Sequence, residues 1–173
     1  MKTSALGFAM AAIGLLAAQT VIAADAPAAQ RAATGSAQQK QLERGRYVVM
    51  IGGCNDCHTD NYAPSGGQVP QSEWLKGSGP LGFAGPWGTT YAPNLRIVVA
   101  RYNEAEWVKY AKTLKTRPPM PWFNVNAMSE SDLRAMYRFV KSLGPGGDAG
   151  PAYLPAGQQP PLPVVEWRLG PKN

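Results

Sequence analysis

The feature that most restricts this chain is the sequence Cys-Asn-Asp-Cys-His at residues 54–58, which contains both of its cysteines and its only histidine. A disulfide between Cys54 and Cys57 would close a very small loop, and a cross-link stabilises a fold less when the loop it closes is shorter. The two thiols therefore contribute little as a structural staple. We interpret them, together with the adjacent imidazole, as a chemical site.

This C-x-x-C-H pattern is the attachment motif of a c-type haem. Two thiols add across the two vinyl groups of the porphyrin, and the histidine that follows reaches the iron from one face. A zinc site would need about four protein ligands, and the sequence has no further Cys or His. A thioredoxin-like redox pair would need strands alternating with helices around the cysteines, and the sequence shows no such alternation. The motif favours one haem c per chain, attached to Cys54 and Cys57, with His58 as an axial ligand of the iron.

The second axial ligand of that iron is predicted to be a methionine, because no second histidine exists and methionine is a common partner of histidine on haem iron. Met50 lies four residues before Cys54 in the same predicted helix, so it is expected on the side of the iron that His58 occupies. Met136 lies on the apolar face of a predicted helix and is expected in the core. Met128 fits a hydrophobic staple with Leu133. Met120 lies in a segment stiffened by prolines on both sides. We predict Met120 as the sixth ligand and Met128 as the runner-up; the alternative is that Met120 is an ordinary core residue.

The N-terminal residues have the layout of a secretory signal peptide: a positive start, an apolar run from about Ala5 to Ala18, and small residues up to Ala23. The run is shorter than the ~20 residues that a transmembrane helix needs. We therefore expect a signal peptide over residues 1–23, cleavage near Ala23, no membrane span afterwards and a periplasmic location. Residues 24–37 show no periodic apolar pattern and are predicted to be a flexible leader.

From residue 38 onward the chain is predicted to have an all-α fold. A first helix is predicted over residues 38–52, where Gly45 is expected to permit the close approach of another element. Residues 59–101 are rich in glycine and proline and are predicted to be loop without strands. The helical domain is placed at residues 38–145. Residues 146–173 are predicted to be an extended, Pro-rich tail.

Two further helices are predicted from their end signals. One begins near Asn103, which forms a capping box with Glu106, and it must end before Pro118. The last helix begins after a Ser129 cap, with Asp132 at the reciprocal position of a second capping box, and Gly144 is predicted to end it.

The order of these elements resembles that of class I cytochrome c over about residues 38–145: helix, C-x-x-C-H, loop, helix, Met120-Pro121 and final helix. The family implies a small helical bundle in which the first and last helices cross at close range. Residues 85–95, together with the Pro-Met-Pro-Trp sequence, look like those of cytochromes that accompany periplasmic dehydrogenases. Several of those subunits carry three haem motifs, whereas this chain has one.

The resemblance implies an electron carrier rather than an enzyme, because a haem ligated on both faces has no open position for a substrate. Its iron would cycle between Fe(III) and Fe(II) and so pass electrons from a dehydrogenase to a respiratory acceptor. The resemblance is also compatible with an electron-transfer subunit of an oxidoreductase complex. The alternative is a haem enzyme or small-ligand binder with an open sixth position, if Met120 does not bind the iron.

The chain is basic, with 17 Lys and Arg against 11 Asp and Glu and a net charge of +6. This excess suits an acidic redox partner, and it is not accompanied by a nucleic-acid-binding motif. Six basic residues are concentrated between Arg96 and Arg117: Arg96, Arg101, Lys109, Lys112, Lys115 and Arg117. The stretch is interpreted either as a docking patch for such a partner or as a solvated face.

Overall fold

The computed structural model describes residues 28–168 and residue 170. The predicted signal peptide and its cleavage site near Ala23 lie outside the described residues. The elements in chain order are α1 (Ala28–Ile51), α2 (Cys54–His58), a short 3-10 turn (Gln71–Glu73), β1 (Gly82–Gly85), β2 (Gly88–Tyr91), α3 (Leu95–Ala100), α4 (Glu104–Thr113), α5 (Trp122–Ala127), α6 (Glu130–Ser142) and β3 (Val164–Glu166). Within these ranges, no helix is both long and apolar enough to cross a membrane.

The all-α prediction is wrong, because the fold contains a three-stranded sheet of order β2-β1-β3. β1 and β2 form an antiparallel hairpin in which Gly82 lies opposite Tyr91 and Gly85 opposite Gly88. β3 comes from the C-terminal segment and pairs with β1 in parallel, with Gly82 opposite Val164. Strands of three or four residues are too short to show an alternating pattern, and pairing with a segment so far along the chain leaves no local signal.

The close approach predicted at Gly45 is confirmed, and it is where α1 crosses α6. A Cβ built on Gly45 would overlap the backbone oxygen of Ala135 and would lie 2.6 Å from the Cβ of Phe139. Val49 and Leu133, on the facing sides of the two helices, are fully buried. The crossing joins the first and last helices of the helical domain, as the resemblance implied.

Helix α1 begins at Ala28, well before the predicted start at residue 38. Residues 33–40 are exposed, so this part of the helix has no buried face to mark it with apolar residues. Its composition of Ala and Gln nevertheless favours helix. Apolar periodicity detects the helical residues that pack against a core, and it misses those that do not.

The predicted helix caps are largely confirmed. At the start of α4, Glu106 N donates to Asn103 Oδ1 at 3.0 Å and Asn103 N donates to Glu106 Oε2 at 2.8 Å, which completes the capping box. At α6, Asp132 N donates to Ser129 Oγ at 3.1 Å. The Asp132 carboxylate does not complete a box; it accepts from Arg44 Nε of α1 at 2.7 Å.

Arg96 lies inside the protein and not on a surface patch. It is 6% exposed, and its guanidinium donates only to backbone carbonyl groups. The accepting carbonyls are those of Gln71, Ser72, Trp74 and Leu143. Arg96 thus fixes the loop before β1 to the C-terminal end of α6.

Candidate haem-binding site

The C-x-x-C-H motif forms a single helical turn, α2, directly after α1. Gly53 precedes it with a φ of 64°, a left-handed conformation that glycine adopts without strain. This turn lets the chain leave α1 and begin a new helix at Cys54. Because residues three apart share a helix face, the two cysteines of α2 lie on the same side.

Both cysteines are free thiols and half-buried. Burial raises the pKa of Cys54 to about 11 and also raises the pKa of Cys57. Redox-active C-x-x-C pairs have the opposite property, since their thiol pKa values are lowered. The site therefore does not have the electrostatics of a thioredoxin-like pair. Over the described residues, no group of three or more Cys, His, Asp or Glu side chains is arranged to hold a metal ion.

His58 is held in one tautomer. It is 5% exposed, and its Nδ1 lies 2.8 Å from the backbone oxygen of Pro93. A carbonyl oxygen can only accept, so Nδ1 carries the proton and Nε2 keeps its lone pair. Burial also lowers the pKa of His58, which keeps the ring neutral. A neutral imidazole whose other nitrogen donates to a carbonyl is the form that binds metals.

A buried hydrogen-bond chain supports the turn that carries His58. Thr59 Oγ1 donates to Asn55 Oδ1 at 2.8 Å and accepts from Leu75 N at 2.7 Å. The backbone oxygen of His58 accepts from Gly77 N at 2.8 Å. Asn55 and Thr59 are not predicted from the sequence, because a polar residue inside the motif or just after it gives no sign that it is buried.

The strap, defined here as residues 117–121, carries Met120. Met120 is half-buried and packs against the hydrophobic core. Thr90 Oγ1 of β2 donates to the backbone oxygen of Pro118 at 2.9 Å. Three residues after Thr90, Pro93 accepts the hydrogen bond of His58. Residues 90–93 therefore contact both the strap and the histidine, so one short segment positions both predicted axial ligands.

The other methionines have different surroundings. Met136 is 3% exposed in the core, as its place on an apolar helix face predicted, whereas Met50 is 42% exposed. A Cβ built on Gly52 would lie 3.4 Å from the Met128 methyl carbon and 3.6 Å from Cys54 Sγ. Met128 therefore lies beside the cysteine end of the motif and stays the alternative to Met120.

Two buried side-chain polar atoms have no hydrogen-bond partner in the described part of the chain, Asn55 Nδ2 and Trp87 Nε1. An unpaired buried donor costs about 1–3 kcal/mol, so such groups are uncommon in a protein of this size. Asn55 lies within the motif, and Trp87 lies in the turn of the hairpin. Both atoms are N–H donors, so each would pair with an acceptor on a group bound beside it.

The predicted basic patch is smaller than the sequence indicated. Arg96 is buried, and Lys112 Nζ donates to the backbone oxygens of Asn126 and Met128. The guanidinium of Arg117 lies over an aromatic ring. The side chains of Lys112 and Arg117 are nevertheless exposed, as are those of Arg101, Lys109 and Lys115. Whether they dock a partner stays a prediction.

Comparisons with known proteins place the chain near subunits of dehydrogenases. No family model matches it, and no solved structure matches it. It is 27% identical over 152 residues to one subunit of the nicotinate dehydrogenase of Pseudomonas putida, in an alignment that covers 82% of this chain and 12% of that protein. It is 25% identical over 148 residues to the cytochrome c subunit of quinone alcohol dehydrogenase of Gluconacetobacter polyoxogenes, and equally to that of Komagataeibacter europaeus.

Those two alignments cover 80% of this chain and 27% of each cytochrome c subunit. The chain thus spans 12% to 27% of the length of the curated relatives it matches. It is distantly similar to dehydrogenase subunits, two of which are named as cytochrome c subunits.

Proposed function

We propose that this protein is a periplasmic electron carrier that holds one covalently attached haem c and serves a dehydrogenase. The observation that carries the proposal is the state of His58: a buried, neutral imidazole whose Nδ1 donates to Pro93 and whose Nε2 is left for a metal, one residue after a pair of free thiols. The distant similarity to cytochrome c subunits supports the same conclusion.

In this proposal each residue of the site has a separate task. Cys54 and Cys57 would hold the group by two thioether bonds, and His58 and Met120 would ligate its iron. Bound haem supplies a one-electron Fe(III)/Fe(II) couple. The Pro93 carbonyl keeps the proton on His58 Nδ1 and so orients the ring and raises its basicity as a ligand. Thr90 holds the strap that carries Met120.

The surroundings favour the reduced state of the iron. A neutral methionine ligand raises the reduction potential relative to a second imidazole. Exclusion of water acts in the same direction, because it penalises the extra positive charge of the ferric state. Tyr91, beside the segment that holds His58, is 7% exposed and would contribute to this exclusion.

The partners in this proposal are redox proteins, with a dehydrogenase as donor and a second redox protein as terminal acceptor. The donor is proposed because all three relatives are dehydrogenase subunits by name. The acceptor and the periplasmic location rest on the export signal and on the family resemblance. Electrons would enter and leave without a substrate binding at the iron.

Covalent attachment is the direct test. The exported protein should keep its colour in denaturing electrophoresis with haem staining, at one haem per chain. Cys54→Ala and Cys57→Ala should each lose most of that signal, since each removes one thioether. Asp56→Ala is the matched control, because Asp56 lies exposed between the two cysteines and forms no thioether. Complete extraction of the haem from the parent by acid-acetone would contradict the proposal.

A further inference from the structure

The C-terminal tail, residues 146–168 of the described chain, is attached to both edges of the β1–β2 hairpin. On the β2 side, Thr89 N donates to Leu154 O at 2.8 Å and Leu154 N donates to Thr89 O at 3.0 Å. On the β1 side, β3 pairs in parallel, and Trp167 N donates to Ala84 O at 2.7 Å. The tail is therefore an integral part of the sheet.

The tail approaches the hairpin turn too closely for a side chain. Gly88 has a φ of 96°, and a Cβ built on it would overlap the backbone oxygen of Leu154 and lie 2.9 Å from the backbone nitrogen of Ala156. This contact fixes the residue before Leu154, Tyr153, over the turn. The hydroxyl of Tyr153 donates to the backbone oxygen of Trp87 at 2.7 Å.

The ring of Tyr153 makes a second contact, with the strap. The guanidinium carbon of Arg117 lies 3.9 Å from the centre of that ring, which is within the range of a favourable cation–π contact. Arg117 is the first residue of the strap and lies three positions before Met120. Tyr153 thus joins the hairpin at Trp87 to the strap at Arg117, beside the Thr90–Pro118 hydrogen bond.

We infer that Tyr153 is a positioning residue for the sixth iron ligand, acting through Arg117 on the strap that carries Met120. The inference rests on the proposed function. Two successive residues of the strap are held: Arg117 by Tyr153 of the tail, and Pro118 by Thr90 of the hairpin. Release of the Arg117 contact lets the strap move away more often, and each such opening frees the sixth position of the iron.

The experiment measures that opening directly. In the oxidised, haem-loaded protein, added imidazole replaces methionine only after the strap opens, so at saturating imidazole the replacement rate reports opening. Replacement is followed by loss of the near-infrared absorption band of methionine-ligated ferric haem. Tyr153→Ala removes one neutral hydrogen bond and one cation–π contact, and the rate should rise on the order of tenfold. Arg117→Gln removes only the ring contact and should raise it about threefold.

Matched variants separate positioning from general loosening. Tyr153→Phe keeps the ring over Arg117 and should fall between the parent and Tyr153→Ala. Tyr137→Phe removes a similar hydrogen bond, from Tyr137 Oη to Tyr102 O at 3.0 Å, in which no strap residue takes part, and it should keep the parent rate. If Tyr153→Ala does not fold, the rate in Arg117→Gln tests the inference, because Arg117 is exposed and its replacement leaves the core intact.

Parent rates in both Tyr153→Ala and Arg117→Gln overturn the inference, and so does an equal acceleration in Tyr137→Phe. Met120→Ala in the same assay identifies which proposal has failed. An unchanged spectrum in Met120→Ala overturns the ligand assignment and the inference with it. A high-spin spectrum in Met120→Ala, together with a parent rate in Tyr153→Ala, overturns the role of Tyr153 alone.

Discussion

Substitution of Gly45 by alanine should destabilise the protein through a single steric contact. The added Cβ would overlap the backbone oxygen of Ala135, and a backbone atom cannot rotate away as a side chain can. Overpacking of this kind costs typically 1–3 kcal/mol, and contact with a rigid carbonyl puts it near ~3 kcal/mol. The higher helix propensity of alanine stabilises the folded state by about 1 kcal/mol relative to glycine. The net loss in the free energy of unfolding should be about 2 kcal/mol.

The matched control is Gly35→Ala in the same helix, where a Cβ meets nothing within 4 Å. Helix propensity acts on both variants alike, so Gly35→Ala should gain up to about 1 kcal/mol. The difference between the two variants, about 3 kcal/mol, is then the steric cost at the α1–α6 crossing. Guanidinium chloride unfolding followed by far-ultraviolet circular dichroism measures it. With a slope of about 4 kcal/mol/M, the midpoint of Gly45→Ala should fall by about 0.5 M.

A Gly45→Ala protein as stable as Gly35→Ala would refute the reasoning, because the helices would then not touch at that residue. An unchanged slope of the unfolding curve is also required. A change in slope would mean that the variant altered the compactness of one of the two states and not only the contact.

Two further outcomes are expected. Met120→Ala should make the oxidised haem-loaded protein partly high-spin and quick to bind cyanide, and it should lower the reduction potential because a neutral soft ligand is lost. Optical spectroscopy and potentiometry measure these changes. If Met128→Ala produces them and Met120→Ala does not, Met128 is the sixth ligand. Glu104 accepts hydrogen bonds from Arg138 and Arg134, which lower its pKa. Stability from a lowered carboxyl pKa is present above its ordinary value of 4.5 and is lost as the pH falls towards the folded-state value. The stability difference between the parent and Glu104→Gln, measured by urea unfolding, should therefore shrink below about pH 4.5, and a difference that is constant with pH would contradict the ion-pair account.

The parts of the fold that the sequence predicts well are those governed by neighbouring residues. Asn103 and Glu106 form the predicted capping box, and Ser129 caps α6, since each of these contacts spans only three residues. The C-x-x-C-H motif is equally local. Gly45 is predictable for another reason: a glycine that weakens a helix is expected to have a packing role, and here the partner is Ala135.

The parts that the sequence does not predict depend on contacts between distant segments. The hairpin is bordered by residues of the tail, and the burial of Arg96 depends on the carbonyl of Leu143 near the end of α6. A lysine or arginine among other basic residues looks like part of a surface patch until its partners are known. The tail is rich in proline, and proline content alone does not show whether an extended segment is bound.

The pairing of the tail with the hairpin also bears on self-association. An exposed strand edge is a template on which another chain can add a strand. Here Leu154 covers the edge of β2, and β3 covers the edge of β1. Among the described residues, β3 pairs only with β1, so its outer side is the edge that stays open. That edge is three residues long and is preceded by Pro163, which has no N–H to offer a neighbour. β3 therefore completes the sheet and also forms its last edge, where few backbone N–H and C=O groups are free to pair with another chain.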